Sequence, residues 1–369
     1  MQPGRFAYID ALRGYAILMV IAVHTSQAFV DLPSPVHALL SQGARGVQLF
    51  FVTSALTLSM SWARRDESAT DFYIRRFFRI APLFWLAIPF FVWLNGTGPS
   101  LFAPDGVSLR QIAMVATFVH GFWLDTMSSV VPGGWSVADE VIFYALFPAI
   151  VPGLLRVSWT SLVKIAIATI ILGAQLSHLV GSFSDLLPPP AQELAGVFFD
   201  LWWFPRELPC FIFGIMLFRF SAEQRSFTEA TARRVCLLAI ALMLVIPFLI
   251  GVKYALPLGL PTTYGICFVL FAFSLMHWPG SFLINPAVRW AGTVSYSAYF
   301  VHFAVLKLFP AIHWSAISPA DFAIMLTAVT LVTIGISSLT YLLIEKPMIR
   351  FGNAVISARD LSIAKEAQA

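Results

Sequence analysis

Apolar residues run along this chain in long unbroken stretches rather than in alternation. Ten of the stretches are of membrane-crossing length: residues 12–32, 43–63, 80–96, 134–155, 163–182, 197–219, 234–251, 260–277, 291–309 and 321–345. A helix needs about 20 such residues to span a hydrocarbon layer of roughly 30 Å. Lipid offers the backbone no hydrogen bonds, so each span must satisfy its own, and the lack of period-2 alternation argues for helices over a barrel. The pattern therefore predicts an all-α polytopic integral membrane protein with about ten transmembrane helices. The first stretch is membrane-length and carries Arg13 and His24, unlike the short apolar core of a signal peptide, so it reads as a retained helix. Residues 111–124 are apolar but short, contain His120, and lead through a polar segment to Gly133 and Gly134.

Charge decides whether that short piece crosses. Lys and Arg accumulate at the cytoplasmic ends of spans. If 111–124 stays on one side, 18 of the 23 basic residues lie on the cytoplasmic face, leaving Arg45, Arg110, Arg206, Lys253 and Lys307 outside. If it crosses, only 10 remain inside. The segment is therefore expected to be re-entrant or interfacial, with both termini in the cytoplasm. Composition agrees with a membrane chain, at 59% hydrophobic and 11% charged, where soluble domains carry about a quarter charged residues. The net charge of +4 is spread between spans instead of forming one basic stripe, which argues against nucleic acid. Cys210, Cys236 and Cys267 sit in apolar stretches without metal-ligand spacing and read as packing residues. No fixed-period repeat appears. The chain reads as one membrane domain, 1–350, followed by a polar, loosely ordered cytoplasmic tail, 351–369.

Ionisable residues within spans are costly, about 2.5–3.5 kcal/mol each near the centre, and mark candidate chemistry. Arg13 and His24 lie eleven residues apart, so they share a face of the first helix about 16 Å from one another along its axis. Glu140 and Tyr144 share a face of the fourth span, with Asp139 about 100° away as a first-turn acid. Counted from a surface start of that helix, Glu140 falls near the depth of His24. Ser295, Tyr299 and His302 form a polar stripe at i, i+4, i+7. Arg75, Arg76 and Arg79 precede the third span on the cytoplasmic side, and Arg76 with Arg79 makes a two-guanidinium patch suited to phosphate. Each feature has a plainer use: the arginines as topology signals and headgroup anchors, the histidines and the stripe as hydrogen bonds between helices. No metal constellation is expected.

Taken in order, these residues resemble the membrane acyltransferase-3 family. The resemblance rests on Ile9-Asp10-Ala11-Leu12-Arg13-Gly14 with Arg-x10-His to His24, Gly46-Val47-Gln48-Leu49-Phe50-Phe51-Val52, and Phe72-Tyr73-Ile74-Arg75-Arg76-Phe77-Phe78-Arg79-Ile80-Ala81-Pro82. It continues through Gly134-Trp135-Ser136 to Glu140 and Phe143-Tyr144, Ser295-Tyr296-Ser297-Ala298-Tyr299-Phe300-Val301-His302, and Glu345-Lys346-Pro347. The resemblance implies transfer of an acyl group, often acetyl, from cytoplasmic acyl-CoA to a hydroxyl of a cell-envelope polysaccharide, lipid-linked sugar or related acceptor in a bacterial inner membrane. It implies catalysis at His24, donor binding at Arg13, Arg76 and Arg79, and a role for Glu140. The chemistry of the residues leaves His24 as general base on the acceptor hydroxyl or as first acceptor of the acyl group, and Glu140 or another acid as the group that orients or charge-balances the imidazole. Asp10, Ser136, Tyr144, Tyr299 and His302 are further candidates. The implied partners are acyl-CoA as donor substrate, a hydroxyl-bearing acceptor and the bilayer, with no bound cofactor and no nucleic acid. Where the family continues Phe-Phe-Val with Leu-Ser-Gly-Phe, this chain has Thr53-Ser54-Ala55-Leu56, so close backbone approach at Ala55 is an open point. The competing reading is a transporter or flippase for an acylated lipid or sugar, in which the same ionisable groups would line a path. Labelled acetyl-CoA separates the two: donor binding or slow hydrolysis favours the enzyme, substrate counterflow without it favours transport.

Overall fold

The structure, a computed structural model, describes residues 6–27, 32–64, 68–187, 189–223, 227–250, 256, 258–308 and 318–366. Helices make up the fold: α1 Ala7–Gln27, α2 Ser34–Ser41, α3 Gly46–Arg64, α4 Ala69–Asn95, α5 Leu109–Ala116, α6 Gly134–Leu154, α7 Trp159–Gly181 and α8 Pro189–Val197. They continue as α9 Phe204–Ala222, α10 Glu229–Val245, α11 Leu260–His277, α12 Pro286–Thr293, α13 Ser295–Leu308, α14 Pro319–Thr340 and α15 Lys346–Glu366. Among the described residues nine segments are long and apolar enough to cross a membrane. The chain is an all-α polytopic membrane protein.

Polar residues between the apolar runs start the helices. The side chains of Ser68, Ser108, Ser158, Thr228, Asn285 and Ser318 each accept a hydrogen bond from the backbone N–H three residues on, at the heads of α4, α5, α7, α10, α12 and α14. Burial then sorts the spans. In the stretch 34–64, 67% of the apolar window is buried against protein, whereas α7 has 17%. The segments around α1, α3, α9 and α11 thus form the centre, and α7, α10 and α14 turn most of their surface outward.

Small residues let the central helices touch backbone to backbone. A Cβ at Gly292 of α12 would overlap the Asp10 carbonyl of α1, and one at Gly14 of α1 would overlap the Val288 carbonyl of α12. Gly46 meets the Ala16 carbonyl in the same way, joining α3 to α1. Without a hydrophobic driving force between helices in lipid, such contacts supply the packing. They also answer the point raised at Ala55: the close approach there is made by Gly214 of α9, whose Cβ position falls on the Val52 carbonyl and on the Ala55 methyl. The glycine has moved to the facing helix. The three cysteines are buried and unpaired, as packing residues should be.

The segment 109–133 enters and returns. Helix α5 has eight residues, about 12 Å of axis and far short of a crossing. Phe118 and His120 beyond it both stack on Phe84, which lies eleven residues before the end of α4, so the segment dips about 16 Å below that end. Trp85 Nε1 donates to the Ala116 carbonyl and the His120 Nε2 contacts the Gly134 carbonyl at 2.9 Å. Helix α6 consequently starts inside the bundle and not at the surface.

Two expectations change. The window 291–309 is two elements: Gly292 and Thr293 close α12, Val294 breaks the helix, and α13 spans only fourteen residues up to Leu308. The pairing of Gly292 with α1 fixes α12 there, so the chain must turn before starting again. The tail after Phe351 is not loose through Glu366, because helix α15 continues α14 across a π-helical turn at Tyr341–Glu345. It is held to α4 by Phe351 against Phe78 and by an ion pair of Arg359 with the nearly buried Asp71 at 2.7 Å. Its buried Ile356 and these contacts were hidden in a composition that is polar on average.

Orientation rests on charge and is checked directly. A reporter active only outside the cytoplasm should be on when fused after Gly98 or Pro188 and off after Asp66 or Ser226. Activity at Ser226 would mean that 111–124 crosses. Asp66, Pro188 and Ser226, and the basic residues Arg5, Arg65, Arg225 and Lys253 used in the charge count, lie outside the described residues.

Candidate active site

Two cavities meet inside the bundle. The inner one, about 70 Å³, is where α1, α3, α4, α6 and α13 converge, and its wall includes Arg13, Arg76, Arg79, Glu140, Tyr144 and Tyr299. Arg13 reaches across from α1 and its Nη2 donates to Thr57 Oγ1 at 3.2 Å. Thr57 in turn donates to the carbonyls of Thr53 and Ser54. Glu140 accepts from Ser54 Oγ at 2.6 Å and from the Tyr144 hydroxyl through the same oxygen, Oε1. The i, i+4 spacing of Glu140 and Tyr144 on α6 makes the second bond local. The Arg76 guanidinium lies 5.8 Å from the Phe72 ring and 5.9 Å from the Tyr144 ring, within cation–π range. Arg79 interacts electrostatically with Glu345 and Glu140. The π-helical turn brings the almost fully buried Glu345 to the Ser297 backbone N–H, at 2.9 Å, and to the Ser297 hydroxyl. Three guanidinium groups against one lining carboxylate make a pocket that attracts anions.

The outer cavity is larger, about 840 Å³, and is lined by His24, Gln27, Arg45, Trp135, Trp202 and Lys307 among others. His24 is half-buried near the end of α1, its Nδ1 3.0 Å from Gln27 Oε1. Its ring stacks on His302 at 5.2 Å between centroids and packs on Phe303 at 4.7 Å. His302 itself is fully buried, with Nδ1 3.0 Å from the Ala298 carbonyl. With Gln27 Oε1 accepting, Nδ1 of His24 carries the ring proton and Nε2 keeps its lone pair, the state required of a general base.

Val47 and Tyr299 line both cavities and so form the partition between them. The Tyr299 hydroxyl accepts from Ser136 Oγ at 2.8 Å and donates to the Gly133 carbonyl at 3.1 Å. Gly133 has φ +71° and lies so close that a Cβ would come within 2.8 Å of that hydroxyl. Only glycine gives both that backbone angle and that clearance.

With this geometry in view, comparison with known proteins is decisive about kinship. Residues 6–342 match the acyltransferase domain family. The chain belongs to the acyltransferase-3 family. This acyltransferase is 27% identical over 336 residues to the exopolysaccharide production protein ExoZ of Rhizobium meliloti, covering 85% of the chain and 91% of the relative. It is 27% identical over 234 residues to acyltransferase MdmB of Streptomyces mycarofaciens, covering 58% and 57% of the two chains. It is 26% identical over 171 residues to the O-acetyltransferase OatA of Staphylococcus aureus, covering 42% of this chain and 26% of that one. No solved structure matches it.

The expected residues divide between the cavities. Arg13, Arg76, Arg79, Ser136, Glu140, Tyr144 and Tyr299 line the inner pocket. His24 lines the outer one, with His302 packed behind it. Asp10 is outside both linings, one turn along α1 from Arg13 and electrostatically engaged with Arg13, Arg289 and Arg79. Glu140 does not pair with His24: its partners are Ser54 and Tyr144, and it belongs with the arginines. The depth estimate failed because it started α6 at the membrane surface, whereas the re-entrant segment carries Gly134 inward. Asp139 is likewise no first-turn acid; it is buried with neither carboxylate oxygen hydrogen-bonded. Sequence reasoning missed Ser54, Thr57 and Gln27. Ser54 and Thr57 fall in the stretch around the noted departure from the family pattern, and their i, i+3 spacing was the available signal.

Proposed function

We propose that this membrane acyltransferase moves a short acyl group, acetyl in the simplest case, from cytoplasmic acyl-CoA to a hydroxyl of a cell-envelope glycan or lipid-linked sugar in the bacterial inner membrane. The observation that carries the proposal is the pairing of an anion-attracting inner pocket with a histidine-lined outer cavity, separated only by the Val47 and Tyr299 layer. Donor phosphates would be held by Arg76, Arg79 and Arg13, the first two by fork-shaped bidentate contacts. From there the thioester arm would run about 16 Å along α1 towards His24. In the outer cavity His24 Nε2 would take the proton of the acceptor hydroxyl as its oxygen attacks the thioester carbonyl. The C–S bond then breaks, and the proton passes to the departing CoA thiolate. Gln27 would hold the imidazole in that tautomer. The similarity to an exopolysaccharide production protein, ExoZ, and to an O-acetyltransferase, OatA, supports this assignment.

The test compares envelope glycans from cells with and without the gene by mass spectrometry. Loss of an acyl mass from one glycan species on deletion, and its return on complementation, is the expected result. An unchanged glycan profile, together with no binding of labelled acetyl-CoA by the purified protein, would overturn the reading.

A further inference from the structure

The outer cavity carries positive charge beyond what the chemistry at His24 uses. Arg45 closes the short 3-10 turn Gln42–Arg45 before α3, is only 6% exposed, and lines that cavity. Its Nε and Nη1 have no hydrogen-bond partner. Lys307, at the exposed end of α13, lines the same cavity, and among the described residues no Asp or Glu does. Glu207, the acid whose charge acts on Arg45, is fully buried and directs Oε1 to Gln48 Nε2 at 2.6 Å. It is not part of the cavity wall. A buried guanidinium with unused donors is costly to hold and is matched by an anion that brings paired acceptor oxygens. In the same cavity wall, Trp135 and Trp202 stack at 5.7 Å and Phe102 packs on Trp202, an aromatic surface of the kind that takes the C–H face of a sugar. At about 840 Å³ the cavity has the size of a drug-sized ligand site.

Resting on the acyl-transfer reading above, we infer that the acceptor is an acidic sugar: the unit that receives the acyl group, or the unit linked directly to it, bears a carboxylate or phosphate that docks on Arg45, with Lys307 drawing it in. Arg45 is thus a specificity residue on the acceptor side, remote from the donor arginines.

Tandem mass spectrometry of the envelope glycan that loses its acyl mass on gene deletion locates the acyl group without any variant. The expected result is an acylated unit that is, or adjoins, a uronic, pyruvylated or phosphorylated sugar, and the fragment masses tell carboxylate from phosphate. An acyl group on a neutral sugar with neutral neighbours overturns the inference while leaving the proposed activity intact. Loss of the gene with no change in any glycan defeats the activity itself. Variants then test the residue. Arg45→Gln should lower glycan acylation roughly tenfold or more, with Arg45→Lys recovering part of it and binding of labelled acetyl-CoA by the purified variants unchanged. Because Arg45 also balances Glu207, the double variant Arg45→Gln/Glu207→Gln is decisive. It should stay as defective as Arg45→Gln; recovery to wild-type acylation would make Arg45 a counter-charge and nothing more. Lys307→Gln, at an exposed position, should give a smaller loss that grows with salt removal in the wild-type comparison.

Discussion

His24→Ala is expected to abolish acylation of the envelope acceptor while expression, membrane insertion and affinity for acyl-CoA stay close to wild type. General-base catalysis contributes about 10² to 10⁴-fold, and nothing else on the outer-cavity wall replaces it: His302 is buried behind the His24 ring with no exposed surface. Donor affinity should hold because the three arginines line the other cavity. The opposing account treats His24 as helix glue, holding α1 to α13 through its contacts with His302 and Phe303. Interactions of that kind are worth about 0.6 kcal/mol in membrane proteins, so their loss would leave turnover nearly untouched. Glycan acylation in complemented cells, normalised to protein amount, distinguishes the two. Retention of more than about a tenth of wild-type turnover would remove His24 from the reaction.

Arg76→Ala with Arg79→Ala should weaken acyl-CoA binding by about a hundredfold or more, since each hydrogen bond to a charged group is worth about 1.5–3 kcal/mol. Titration calorimetry in detergent reads the affinity. Lysine at both positions should restore only part of it, because an ammonium lacks the planar fork. The single variants should differ in kind. Arg76 leans on the Phe72 and Tyr144 rings, so its loss removes ligand contacts together with those ring contacts. Arg79 lies in the field of the buried Glu345, so its loss also leaves that acid uncompensated and should lower thermal stability as well. Unchanged donor affinity in the double variant would return both arginines to the role of topology signals.

Most spans were legible because lipid imposes one rule on every residue, that long apolar runs must be helical, and the segment around 111–124 stood out because it is too short to cross. The shared face of Arg13 and His24 followed from helix geometry alone, and the two do line the bundle interior, one in each cavity. What the sequence hid were distances between helices. Glu140 was set beside His24 because its depth was counted from a surface start, and only the packing of His120 and Phe118 on Phe84 reveals how deep α6 begins. The close contact at Ala55 was unreadable for the same reason, since its glycine, Gly214, is more than 150 residues away on α9. Ser54 and Thr57 looked like ordinary small polar residues in an apolar span, and gained meaning only from Glu140 and Arg13 opposite them.

The thin Tyr299 and Val47 layer also has an electrical consequence. Were both cavities hydrated, most of the potential difference would fall across this one layer instead of the full hydrocarbon thickness. A unit charge crossing it would gain or lose about 2.3 kcal/mol per 100 mV, while a neutral thioester would pass without that term. On the proposed route, the Ser136–Tyr299–Gly133 hydrogen bonds that close the layer would act as its insulation, open to an uncharged acyl group and sealed to protons and ions.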